Sequence, residues 1–132
     1  MASTQEQGAS PLAAMSNALV KLHKEHFGRG PSNARAHFAG SDALLCVLED
    51  ALLPAERKMV EMGDQNRVRE SRVAFQAATQ QEFIAAAERI LSRKVVSFAS
   101  GVDPDRAVVY ECFYFEPLES DGGNGALKGE RG

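Results

Sequence analysis

Apolar positions change their spacing several times along this chain, and each change marks a new element. Leu12, Met15, Leu19 and Leu22 recur every three or four residues, the stripe of an amphipathic helix. Ser10 supplies an N-cap and Pro11 suits the first helical position. Gly28 offers a left-handed stop and Pro31 bars resumption, so the helix is predicted over residues 11–27. Ala34, Ala36 and Phe38 then alternate with Arg35 and His37, the pattern of a half-exposed strand. After the Gly40-Ser41-Asp42 turn, Ala43–Glu49 is an almost continuous apolar run, predicted as the more deeply buried strand of a hairpin.

Helical spacing returns at Pro54-Ala55-Glu56, which opens a short helix to about Met62, with Gly63 as its stop and Asp64 as the next cap. Gln65 to Ser92 holds no Pro or Gly and predicts a long helix with the core stripe Val68, Phe75, Phe83, Ala86 and Ile90. A last hairpin joins Val95–Ser100 to Ala107–Glu116 through Gly101-Val102-Asp103-Pro104-Asp105. The order α-β-β-α-α-β-β, with hairpins that must pair antiparallel, predicts an α+β fold: two layers, a four-stranded antiparallel sheet and packed helices.

Composition narrows the reading. The chain has 132 residues, of which 44% are apolar and 25% charged, with a net charge of −3. That length suits one domain with one core. Residues 1–10 are small and polar and 118–132 are glycine-rich, so both read as disordered tails around a unit at 11–117. The longest apolar run, Ala43–Leu48, falls far short of the roughly 20 residues that span a bilayer, which excludes direct membrane insertion. The first ten residues have neither a basic nor an apolar segment, as a secretory leader would. With two cysteines, the expected setting is the reducing cytoplasm.

Two placements break the ordinary pattern. The last strand is apolar on both faces: Val108, Tyr110, Cys112 and Tyr114 on one, Val109, Glu111, Phe113 and Phe115 on the other. An antiparallel strand with one wet face shows clean alternation. The Tyr110, Cys112 and Tyr114 face therefore predicts a cover, either the first helix or a second copy in a homodimer. Secondly, at about 100° per residue Arg72 falls inside the apolar stripe of the long helix. A guanidinium there needs an anionic partner. Glu111, between Val109 and Phe113, is the matching oddity. An Arg72–Glu111 pair is the structural expectation; a small-anion site organised by Arg72 is the alternative.

The remaining candidates are weaker. Arg67 and Arg69 sit in the first turn of the long helix, where the macrodipole favours acids, so they face solvent, a phosphate or an acidic partner. Gly28-Arg29-Gly30-Pro31 follows a helix instead of preceding one, so it reads as a helix stop with Arg29 at an exposed tip, not as a phosphate loop. His23, His26 and His37 offer no convincing zinc spacing, and no metal or cofactor is assigned. Cys46 and Cys112, flanked by apolar residues, read as small core side chains. No nucleophile–base unit appears and acid exceeds base, so neither catalysis nor nucleic-acid binding is expected.

Several segments carry a resemblance. His23-Lys24-Glu25-His26-Phe27-Gly28-Arg29-Gly30-Pro31, Leu53-Pro54-Ala55-Glu56 and Val68–Gln76 occur in order with Lys94–Phe98 and Phe113-Tyr114-Phe115-Glu116-Pro117. Over about residues 15–117 the chain resembles the MpsC-like family of small bacterial domains, with Leu53 standing where a capping threonine is expected. The family is named for a Na⁺-translocating, membrane-potential-generating system. The resemblance implies a role beside bicarbonate or cation transport, as an accessory or regulatory component that contacts a transporter subunit and stays peripheral to the membrane. It brings no active site with it.

Overall fold

The computed structural model describes residues 10–118. Apart from Ser10 and Leu118, the two expected tails lie outside the described residues. Seven elements follow in the predicted order. They are α1 (Pro11–Phe27), β1 (Asn33–Phe38), β2 (Ala43–Glu49), α2 (Pro54–Glu61), α3 (Gln65–Leu91), β3 (Val95–Asp103) and β4 (Val108–Phe115).

Local chemistry explains most boundaries. Ser10 Oγ accepts from the Ala13 amide at 3.1 Å, and Pro11 opens α1. Gly28, at φ +87°, ends it in the left-handed region. Gly30 is required for closeness: a Cβ there would sit 3.0 Å from the Val20 carbonyl oxygen. Asp64 does stand at the N-cap of α3, but its carboxylate takes Arg67 Nε at 2.7 Å instead of capping an amide. At the far end Ser92, at φ +54°, does the work usually given to glycine. The last hairpin turns later than expected. Gly101 and Val102 belong to β3, and the chain reverses through residues 104–107, where Asp103 Oδ1 accepts from the Arg106 amide at 3.2 Å.

Both hairpins form, and β2 and β4 join them into one antiparallel sheet of order β1-β2-β4-β3. Met15 and Leu19 of α1 share one core cluster with Phe83 and Ala87 of α3 and with Leu44, Leu48, Phe113 and Phe115 of the sheet. Helices α1 and α3 therefore lie on the same face, while α2 packs on α3. A smaller cluster of Leu52, Val68 and Ala107 closes one end.

This arrangement answers which element covers the second face of β4: none does among the described residues. Val109, Glu111, Phe113 and Phe115 point under the helices, and Tyr110, Cys112 and Tyr114 are exposed on the other side. Cys112 is thus a surface thiol, not a core side chain, whereas Cys46 is buried as expected. Phe75 also departs from the predicted core stripe and is 41% exposed. Val68 of α3 is buried in the smaller cluster, but Val73 and Phe75 further along the helix line a gap and not a closed core.

Candidate functional site

That gap is a cavity of about 260 Å³ between α1, α3 and the β3–β4 hairpin. Its walls are mainly apolar and include Phe27 of α1, Phe75 and Phe83 of α3, and Phe98 of β3. The rings form two groups: Phe27 and Phe75 lie 4.7 Å apart, while Phe83 and Phe98 lie 5.9 Å apart and Phe98 and Phe113 4.8 Å. Val73 and Phe75 are both exposed and sit where the cavity meets solvent.

Two polar pairs border this apolar space, and neither is the expected Arg72–Glu111 pair. Arg72 Nε donates to Glu56 Oε2 at 2.8 Å and Nη2 to Oε1 at 2.6 Å, a bidentate fork. Nη2 also donates to the Ala51 carbonyl at 2.9 Å, and the guanidinium lies 4.2 Å from the centre of the Phe27 ring. Glu56 belongs to the first turn of α2 and accepts from the Leu53 amide at 2.8 Å. This is one half of a capping box; Leu53 has no side-chain acceptor for the other half. Glu56 thus ties the start of α2 to Arg72 of α3, with both side chains less than a tenth exposed. The guanidinium is already engaged along one edge by Glu56 and the Ala51 carbonyl.

Glu111 instead meets His23. Their Nε2 and Oε2 atoms share a hydrogen bond of 3.0 Å, and both side chains are only 4% exposed. His23 also stacks on Phe27 and meets the edge of Phe83, each at 5.5 Å between ring centres. The second carboxylate oxygen, Glu111 Oε1, is buried and has no partner among the described residues. Both His23 and Glu111 line the cavity. Across β2, Cys46 pairs with Glu111 in register. Burial pushes its thiol up to about 12, and the Glu111 charge adds to the effect.

Other candidates are spread more widely. Arg69 lines the cavity and bonds Asn66, while Arg67 is held by Asp64 and does not reach it. His26 pairs with Glu82 at 2.9 Å and His37 lies on β1, so the three histidines do not converge. Arg29 is part-buried and binds back onto the loop before α2. It donates to Asp50 Oδ2 at 3.0 Å and to the Leu52 carbonyl at 2.6 Å, and Arg57 also reaches Asp50. The Gly28–Pro31 turn therefore fastens α1 to the loop that leads into α2.

A family model described as "Na+-translocating membrane potential-generating system (MpsC)" matches residues 10–117. The chain belongs to the MpsC family. No curated protein and no solved structure matches it. In this MpsC-family chain three segments carrying the resemblance contribute to the site: Phe27 to Pro31 supply one wall and its anchor, Glu56 of the Leu53–Glu56 segment holds Arg72, and the Val68–Gln76 stretch supplies the opposite wall. Among the described residues no helix is long and apolar enough to cross a membrane.

His23 is the residue that sequence reasoning passed over. Its signal was present, since Met15, Leu19, His23 and Phe27 form one row at intervals of four. The two apolar residues before it and the ring after it mark that row as the buried one. Glu56 carried less warning: sixteen residues from Arg72, it resembles any acid in a first helical turn.

Proposed function

We propose that this MpsC-family chain is a non-enzymatic accessory or regulatory component of a membrane ion-transport system that generates a membrane potential, and that it acts by protein–protein contact. The family supports the link to such a system. The observation that carries the mode of action is the open sheet face. Leu45 and Val47 of β2 lie opposite Cys112 and Tyr110 of β4, with Tyr110 41% and Tyr114 49% exposed. Ala99 and Gly101 of β3 continue this face without bulk. A contiguous patch with two exposed tyrosines suits docking, because tyrosine brings apolar area with a polar tip.

The occupant in this reading is a second copy of the chain, sheet against sheet, and the dimer reaches the membrane from the cytoplasmic side through a transporter subunit. Light scattering on the full chain tests the first step. A dimer that Tyr110→Asp converts to a monomer is the expected result, and a wild-type monomer at all concentrations overturns it. Affinity purification from native membranes tests the second. Recovery of a transporter subunit by the wild-type chain is expected; an eluate without one removes the transport role.

A further inference from the structure

The cavity on the helical side of the sheet has features that contact through the opposite face does not explain. A buried carboxylate oxygen without a partner is costly, and native proteins rarely leave one. Glu111 Oε1 is in that state, and Glu111 lines about 260 Å³ of space. One water occupies about 30 Å³, so a water on Oε1 would leave most of the volume unfilled. Waters against the Phe27, Phe75, Phe83 and Phe98 side chains would find few of the polar partners they need there. The volume lies just below the roughly 300–1,000 Å³ of cavities that take drug-sized ligands. It excludes a folded partner or a long peptide and suits a molecule of one ring or a short branched chain.

The polar groups select among such molecules. The His23 bond takes Oε2 and leaves Oε1 as an acceptor in search of a donor. Of the two cations that line the cavity, Arg72 is engaged by Glu56 and Arg69 is solvent-exposed, so its charge is screened by water. We propose that this cavity binds a small, mainly apolar molecule carrying one hydrogen-bond donor, an amine or a hydroxyl, which Glu111 Oε1 accepts while Phe27, Phe75, Phe83 and Phe98 enclose the apolar body. The ligand enters past Val73 and Phe75, where the cavity meets solvent. Because Glu111 alternates along β4 with Tyr110 and Cys112, an occupied cavity stiffens the strand that carries the open face. The site is thereby suited to adjusting contact from the other side of the sheet.

The test uses the full chain, isotopically labelled, titrated with benzylamine, benzyl alcohol, benzoate and toluene while amide and methyl resonances are followed. Saturable shifts at Phe83, Phe98 and Val102 with benzylamine or benzyl alcohol are expected, with benzoate and toluene on the order of tenfold weaker, because neither donates to Oε1. Thr79→Trp places a bulky ring at the partly exposed wall of the cavity. It should abolish the saturable shifts while the unfolding midpoint stays near wild type. Glu111→Gln should weaken benzylamine specifically; if that variant does not fold, the probe comparison and Thr79→Trp still decide. Equal affinity for benzoate, shifts confined to Tyr110 and Tyr114, or undiminished binding in Thr79→Trp would each overturn the proposal. So would no saturable binding of any donor probe, which would leave the cavity to water.

Discussion

On β2, Leu44, Cys46 and Leu48 point under the helices and are almost fully buried, while Ala43, Leu45 and Val47 point the other way and stay half-buried. On β4, Glu111, Phe113 and Phe115 are buried, whereas Tyr110, Cys112 and Tyr114 are exposed. The residue types on the two faces differ little; what differs is what lies above them. The helical face has neighbours that make each methyl group count and each unpaired oxygen costly. The open face has apolar side chains with nothing among the described residues to meet. Similar hydrophobicity therefore serves stability on one side and is available for recognition on the other.

That contrast can be broken most severely where charge is buried on the helical side. Arg72→Met leaves Glu56 buried without its partner and should cost about 3–5 kcal/mol, as for other broken buried pairs. Chemical denaturation measures it. Restoring most of that loss by a second change, Glu56→Leu, would show that the unpaired carboxylate caused it.

Two neighbours on one strand sharpen the comparison directly. Leu48→Ala, on a side chain with no exposure, should cost about 2–5 kcal/mol through lost contacts and a residual cavity. Val47→Ala, one residue away, should cost well under that in the isolated chain, about 0.5–1 kcal/mol. If both cost the same at low protein concentration, the open face is packed by some part of the chain and the comparison fails.

The two thiols report the same difference without touching stability. Cys112 should react with a water-soluble disulfide reagent in the native protein. Cys46, buried and with its thiol pushed up to about 12, should react only after unfolding. Docking of two sheet faces should slow Cys112 as protein concentration rises, and Tyr110→Asp should remove that dependence. A Cys112 rate that ignores concentration argues against the dimer.

The smallest expected effect lies away from both faces. Hydrogen bonding from Arg29 holds the Asp50 carboxyl below its ordinary value of 3.8. The folded state then binds fewer protons than the unfolded one over that range. The stabilisation is full above 3.8 and is lost as pH falls through the lower folded-state value. The gap in unfolding temperature between wild type and Asp50→Asn should be constant from neutrality to about pH 5 and close in stronger acid. A gap that persists unchanged at about pH 2 would mean that the residue acts through geometry alone.

By itself the sequence determined the elements and their order. Period and punctuation are local properties, which is why Ser10, Pro11, Gly28 and Gly63 mark their boundaries and both hairpins form, the second with a later turn than read. It also determined that Arg72 and Glu111 would each need a polar neighbour, since burial of charge without one is prohibitive anywhere. Tertiary structure alone decided which neighbours. Arg72 is closest to the first turn of α2 because Glu56 is held there by the Leu53 amide. Glu111 faces α1 because that helix packs on the same side of the sheet as α3 and brings His23 beneath it. The same packing choice left the Tyr110 face open among the described residues and set Val73 and Phe75 of α3 around a cavity. Neither consequence is encoded at any one position, because each depends on the summed burial of helices far apart in the chain.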